Sequence, residues 1–143
     1  MAIEIQNLCP LIEVFDMPTS LRFYRDVLGF RVVETSGQGD DSGWVWLSRG
    51  EGVDLMLNAA YEEGMRPPAP DLARVRAHRD TALFFGCPDV DGAWHYLREH
   101  GLDVAEPEVA PYAMKQLYLT DPDGYNLCFQ WPAGEPAAMA AGT

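Results

Sequence analysis

Positive charge is scarce in this sequence: ten Lys and Arg stand against 22 Asp and Glu, a formal net charge of −12. Nucleic acids are held by clustered cations, so no nucleic-acid partner is expected. Long apolar runs are also missing. No segment approaches the roughly 18 residues of a membrane-spanning helix, and the first residues show no basic-then-apolar leader pattern, so no membrane association is expected. Cysteine is sparse. Cys9, Cys87 and Cys128 are an odd number without a Cys-x-x-Cys spacing, which argues against a disulfide framework and for reduced thiols in a cytoplasmic protein. Neither a Gly-x-Ser-x-Gly elbow nor a Gly-rich phosphate loop occurs, so two common routes to catalysis have no sequence support.

What remains is an ordinary globular composition, 48% hydrophobic and 22% charged over 143 residues. That is enough chain for one domain with a real core. Residues 8–15 read as a strand. Asp16 and Pro18 open a helix predicted to reach about Leu28, with Leu21, Tyr24, Val27 and Leu28 at helical spacing and Gly29 as its stop. Strands are predicted near 30–35, 43–49 and 53–58. Residues 59–80 carry three prolines and no strand pattern, and read as a connection. A strand over 81–87 follows, then a helix from Asp89 to His100 ended by Gly101. Strands are predicted again at 102–105, 114–120 and 126–131. Residues 132–143 are rich in Ala, Pro and Gly and read as a flexible tail.

The two halves therefore repeat one order: strand, helix, three strands. Asp16 aligns with Asp89 and Gly52 with Gly124, at a nearly constant offset, as a duplicated module requires. The expected fold is α+β, with two βαβββ modules forming one eight-stranded curved mixed sheet. It is read as a single domain over 1–131, with module one at about 5–58, the connector at 59–80 and module two at about 81–131.

Strands alternate side chains between two faces. One face reads Pro10, Ile12, Val14; Val53, Leu55, Leu57; Leu83, Phe85, Cys87; Leu127, Phe129, Trp131. It is apolar throughout and should pack under the helices. The other reads Cys9, Leu11, Glu13; Asp54, Met56, Asn58; Ala82, Phe84, Gly86; Asn126, Cys128, Gln130. Trp44 and Trp46 extend it in one half, matched by Gln116 and Tyr118 in the other. A wall that mixes aromatic, apolar and a few polar groups suits a small-molecule cavity.

The segment VFDMPTSLRFYRDVLGFRVVE combines a strand end, Asp, a helix with Ser-x-x-Phe-Tyr, and Leu-Gly-Phe. CPDVDGAWHYLREHG opens the second module, and TDPDGYNLCFQW closes it with Asp-Pro-Asp-Gly before the last strand. Together these segments resemble the glyoxalase / bleomycin-resistance / extradiol-dioxygenase (vicinal oxygen chelate) superfamily. The resemblance implies a homodimer. It also implies metal ligands, usually His, Glu or Gln, on the first and last strands of each module. Those positions hold Cys9, Met56, Ala82 and Cys128, and none offers the nitrogen or oxygen donors of a nickel, zinc or iron site. No metal site and no cofactor are therefore expected, with a divalent metal the disfavoured alternative.

The residues expected to meet a ligand are Cys9, Leu11, Glu13, Trp44, Trp46, Met56, Asn58, Phe84, Tyr112, Lys115, Cys128 and Gln130. Glu13 is central: it could serve as a catalytic base, hold a cation by charge, or be a structural partner of Lys115 or Tyr112. The first reading is a metal-independent small-molecule binding protein for drug or metabolite sequestration. The alternative is a lyase, isomerase or dioxygenase acting on a small oxygenated metabolite with Glu13 as base. Both stand at this stage.

Overall fold

The computed structural model describes residues 2–134; most of the stretch read as a tail lies outside them. The chain divides into two compact units, one up to Val75 and one from Arg76 onward, each built around a four-stranded sheet. The first unit runs β1 (Leu11–Val14), α1 (Met17–Leu21) continued by a π-helical stretch (Arg22–Val27), β2 (Arg31–Thr35), β3 (Trp44–Ser48) and β4 (Asp54–Ala59). After α2 (Leu72–Ala77), the second unit runs β5 (Ala82–Gly86), α3 (Val90–Glu99), β6 (Glu108–Val109), β7 (Met114–Thr120) and β8 (Asn126–Pro132). The sheet orders, β1-β4-β3-β2 and β5-β8-β7-β6, are the same order repeated. In each, the first strand pairs parallel with the fourth and the rest pair antiparallel.

The repeat extends to single residues. Asp16 caps α1 by accepting from the Thr19 backbone N–H at 3.1 Å, and Asp89 caps α3 by accepting from that of Gly92 at 2.9 Å. A short acceptor at this position satisfies an N–H that the helix cannot. Gly29 and Gly101 follow the two helices with φ of 85° and 84°, a left-handed stop that glycine makes without Cβ strain. The final hairpins close through equivalent bonds, Arg49 N–H to Val53 C=O at 2.8 Å and Asp121 N–H to Tyr125 C=O at 2.9 Å.

Asp16 also accepts from the Thr19 hydroxyl and from Arg66. The Thr19 hydroxyl, its backbone N–H and Arg66 together hold the Asp16 carboxyl below the usual carboxylate range. A depressed folded-state pKa adds stability that is present above the unfolded pKa and lost as pH falls through the folded one. Asp16→Asn should therefore flatten the acid limb of a stability-versus-pH curve, measured by thermal unfolding. An unchanged acid limb would show that this carboxyl does not couple to folding.

The cores lie where the apolar faces predicted. Ile12, Val14, Val45, Leu47, Leu55 and Leu57 bury one side of the first sheet with Met17, Leu21 and Tyr24. Leu117, Leu119 and Leu127 do so in the second with Val90 and Leu97 of α3. Each such side chain contributes roughly 1.5–3 kcal/mol.

Four local expectations differ. The first helix is α-helical only over Met17–Leu21. It then widens, with Leu28 N–H reaching Phe23 C=O at 3.0 Å, five residues back. The longer turn breaks the 3.6 spacing, so Tyr24 stays buried while Val27 and Leu28 are half-buried. The connector holds α2, opened by Asp71, whose carboxylate accepts from Ala73 N–H at 2.9 Å after the prolines have passed. No strand forms at 102–105, because the Val104 carbonyl is taken by the Trp94 indole N–H at 3.0 Å; the edge strand is Glu108–Val109 instead. Trp131, expected under the helices, is 43% exposed near the end of β8.

Candidate functional site

On the first sheet, the face opposite the core is fixed by register. Trp44 sits across from Asn58 and Asn58 across from Glu13. Trp46 sits across from Met56 and Met56 across from Leu11. These rows join residues up to 45 positions apart. The Asn58 side-chain N–H₂ donates to both Glu13 carboxylate oxygens, at 3.0 and 3.3 Å. The Trp46 indole N–H donates to Asp54 at 3.3 Å. Trp44, Trp46, Met56 and Asn58 are half-buried and Leu11 is exposed. The face thus offers two indoles, a thioether and an oriented carboxylate without being a closed core.

Cys9 lies just ahead of β1 and is half-buried. Burial pushes its thiol pKa up, and the charge of Asp54 pushes in the same direction.

The second sheet presents Phe84 across from Cys128 and Cys128 across from Tyr118. Beside them lie Gly86, Gln130, Gln116 and Glu108 in one row. The Phe84 and Tyr118 rings meet edge to face at 6.2 Å. Cys128 is fully buried in this row, and burial raises its thiol pKa. The Tyr118 ring is half exposed, but its hydroxyl end sits against Cys128 and Tyr112. Desolvation first, then those two neighbours, pushes its pKa up to about 12. The Tyr112 hydroxyl donates to the Gln116 side-chain carbonyl at 3.0 Å, and the Gln116 amide donates to the Gln130 carbonyl at 2.9 Å. An open groove of about 460 Å³ runs along this edge between Glu106, Glu108, Val109, Pro111, Tyr112 and Tyr118.

Lys115 is not brought to this face. It shares the helix side of β7 with Leu117 and Leu119 and pairs with Asp91 of α3 at 2.6 Å. The Glu13 carboxylate is met by Asn58, while Lys115 donates to Asp91 and Tyr112 to Gln116. Ala82 lies on the open face across from Asn126 and has no donor atom in its side chain. His78, away from both faces, stacks on Tyr125 at 4.1 Å and meets the Asp123 carbonyl at 2.7 Å. Among the described residues no three His, Cys, Asp or Glu side chains are grouped to hold a metal ion. Gln116 and Tyr118, placed on this wall by strand alternation but not among the expected ligand contacts, lie on the open face across from Gln130 and Cys128. Their signal was the repeat itself, which aligns them with Trp44 and Trp46.

Residues 9–129 match the Glyoxalase/Bleomycin resistance protein/Dioxygenase superfamily, and the chain belongs to it. Among solved structures it is similar to TnmS3, an antibiotic binding protein from Streptomyces sp. CB03234. The identity is 23% and the TM-score 0.67, over 92% of this chain and 98% of that one. It is also similar to a protein from the mobile metagenome of V. Pseudocholerae, at 24% identity and TM-score 0.64 over 91% and 97% of the two chains. Virulence protein STM3117 from Salmonella typhimurium is similar at 21% identity and TM-score 0.60, over 91% and 98%. At these identities the likeness is one of fold. No curated protein sequence matches.

Proposed function

We propose that this is a metal-independent small-molecule binding protein that sequesters a flat, cationic drug or metabolite in the cytoplasm. The observation that carries the reading is the face of Trp44, Trp46, Leu11 and Met56 around the Glu13–Asn58 pair. Indoles left half-exposed beside an oriented carboxylate suit a cationic aromatic ring, which gains stacking, cation–π attraction and a charge partner together. The net charge of −12 favours the approach of a cation. The lack of nitrogen or oxygen donors at Cys9, Met56 and Cys128, and of any side-chain donor at Ala82, supports binding without metal. The antibiotic-binding relative is consistent with this class of ligand.

A second reading makes the chain a lyase, isomerase or dioxygenase with Glu13 as base. Asn58 donates to both Glu13 oxygens, which fixes the carboxylate in one orientation and leaves lone pairs on each oxygen for a bound cation. Exposed Leu11, Phe84 and Tyr118 support a homodimer, since a second copy could cover apolar surface that a single chain leaves in water.

Titration with a panel of cationic aromatic drugs, read by Trp fluorescence and melting temperature, tests this. A binder should quench the wild type, and Trp46→Ala should weaken it by about tenfold or more. A panel that moves neither signal, or turnover of a methylglyoxal–glutathione adduct or catechol that Glu13→Gln removes, would sink the binding reading. Light scattering on the same samples reports whether the mass is twice 15.9 kDa; a monomer at all concentrations removes the dimer.

A further inference from the structure

The hydrogen bonds on the second sheet run in one direction. Tyr112 donates to Gln116, and Gln116 donates to Gln130. With its carbonyl already accepting, Gln130 keeps its side-chain N–H₂ for another acceptor; this group has no partner among the described residues and is not buried. Across the ladder from Gln130 stands Gly86. A Cβ placed there would meet only Trp131, at an ordinary 3.7 Å, and its backbone is not in the left-handed region. Neither the fold nor crowding therefore requires glycine at this place. A strand glycine with free space above it is where a ligand can approach closely. The neighbouring Phe84 ring, 52% exposed, gives that space a flat apolar wall. An unpaired donor over an open gap, beside an exposed ring, asks for a flat ligand that carries a hydrogen-bond acceptor.

We infer that the second sheet holds a recognition subsite for the carbonyl oxygen of a flat aromatic ligand, with the Gln130 N–H₂ as donor and Gly86 leaving room for the ring. Gln116 and Tyr112 are positioning residues, which act by keeping the Gln130 amide in its donating orientation. This rests on the binding reading above and adds a ligand class to it.

The probes are acridone and acridine, two tricycles of similar size, of which only acridone carries the carbonyl. Each is titrated into full-length protein by fluorescence and by amide ¹H–¹⁵N spectra. Acridone should bind and shift the Gln130 side-chain amide. Gln130→Glu keeps the acceptor for Gln116 and removes the donor, and should weaken acridone about tenfold while leaving acridine nearly unchanged. Tyr112→Phe should give a smaller loss of the same selectivity. Gly86→Ala, whose added Cβ meets Trp131 only at an ordinary 3.7 Å, should weaken acridone with little change in melting temperature, which separates occlusion from unfolding. Acridone binding that leaves the Gln130 amide unmoved, or equal losses for both probes in Gln130→Glu, overturns the subsite alone. If neither probe binds the wild type and the drug panel also fails, the binding reading falls and takes the subsite with it.

Discussion

Tyr24→Ala is expected to cost about 3–5 kcal/mol of stability, measured by urea unfolding. Tyr24 is fully buried and among the largest side chains with no solvent exposure. Its ring is met edge-on by Phe23 at 4.9 Å and by Phe30 at 6.0 Å, an arrangement that adds to simple area burial. Its backbone carbonyl accepts from Phe30 N–H at 2.9 Å, so the same residue ties the wide helical turn to the entry of β2. Truncation would leave a cavity that this rigidly bonded turn is poorly able to close. Tyr24→Phe keeps the ring and should cost far less, about 1 kcal/mol from the lost hydroxyl. A loss below about 1 kcal/mol in Tyr24→Ala would mean that the first core is not organised around this ring.

The second large effect is expected at Asp121. Its carboxylate Oδ1 accepts from two backbone N–H groups, Asp123 at 2.8 Å and Tyr125 at 2.9 Å, and the residue is only 5% exposed. Asp121→Ala leaves both donors buried without that acceptor, at about 1–3 kcal/mol each before relaxation. We expect a net loss of about 2–4 kcal/mol. Asp121→Asn retains an acceptor oxygen and should lose less. Equal stability of the Ala variant and the wild type would refute this account of the turn. The Asp-Pro-Asp-Gly segment that marks the superfamily in the sequence thus does structural work here: Asp121 nucleates the turn that sets β7 against β8, with Gly124 at a φ of 92°.

The open faces were legible for a related reason. A two-residue period forces Leu11 and Glu13, or Met56 and Asn58, onto one side of their strands. Once Ile12 and Leu57 claim the core, the side opposite has to carry the rest. Register then follows from burial, because a one-residue slip would expose an entire core row. Lys115 obeys the same rule. It sits on β7 next to Gln116, so the same two-residue period places it on the opposite, helix side, where Asp91 of α3 meets it. The connector helix was hidden by its prolines, which precede α2 and do not interrupt it. The π-helical widening after Leu21 has no composition that announces it.

By itself, then, the sequence determined the duplication, the two core faces and the superfamily, because periodicity and turn chemistry are local and recur at a constant offset. The resemblance also implies that the four usual metal positions fall at Cys9, Met56, Ala82 and Cys128, a reading that needs no coordinates. Only the tertiary structure decided which polar groups meet. Glu13 finds Asn58, 45 residues along the chain, through a parallel ladder, and Gln116 directs Gln130 across a hairpin. Hydrogen-bond direction depends on which atoms come within about 3 Å, and no spacing along the chain encodes that.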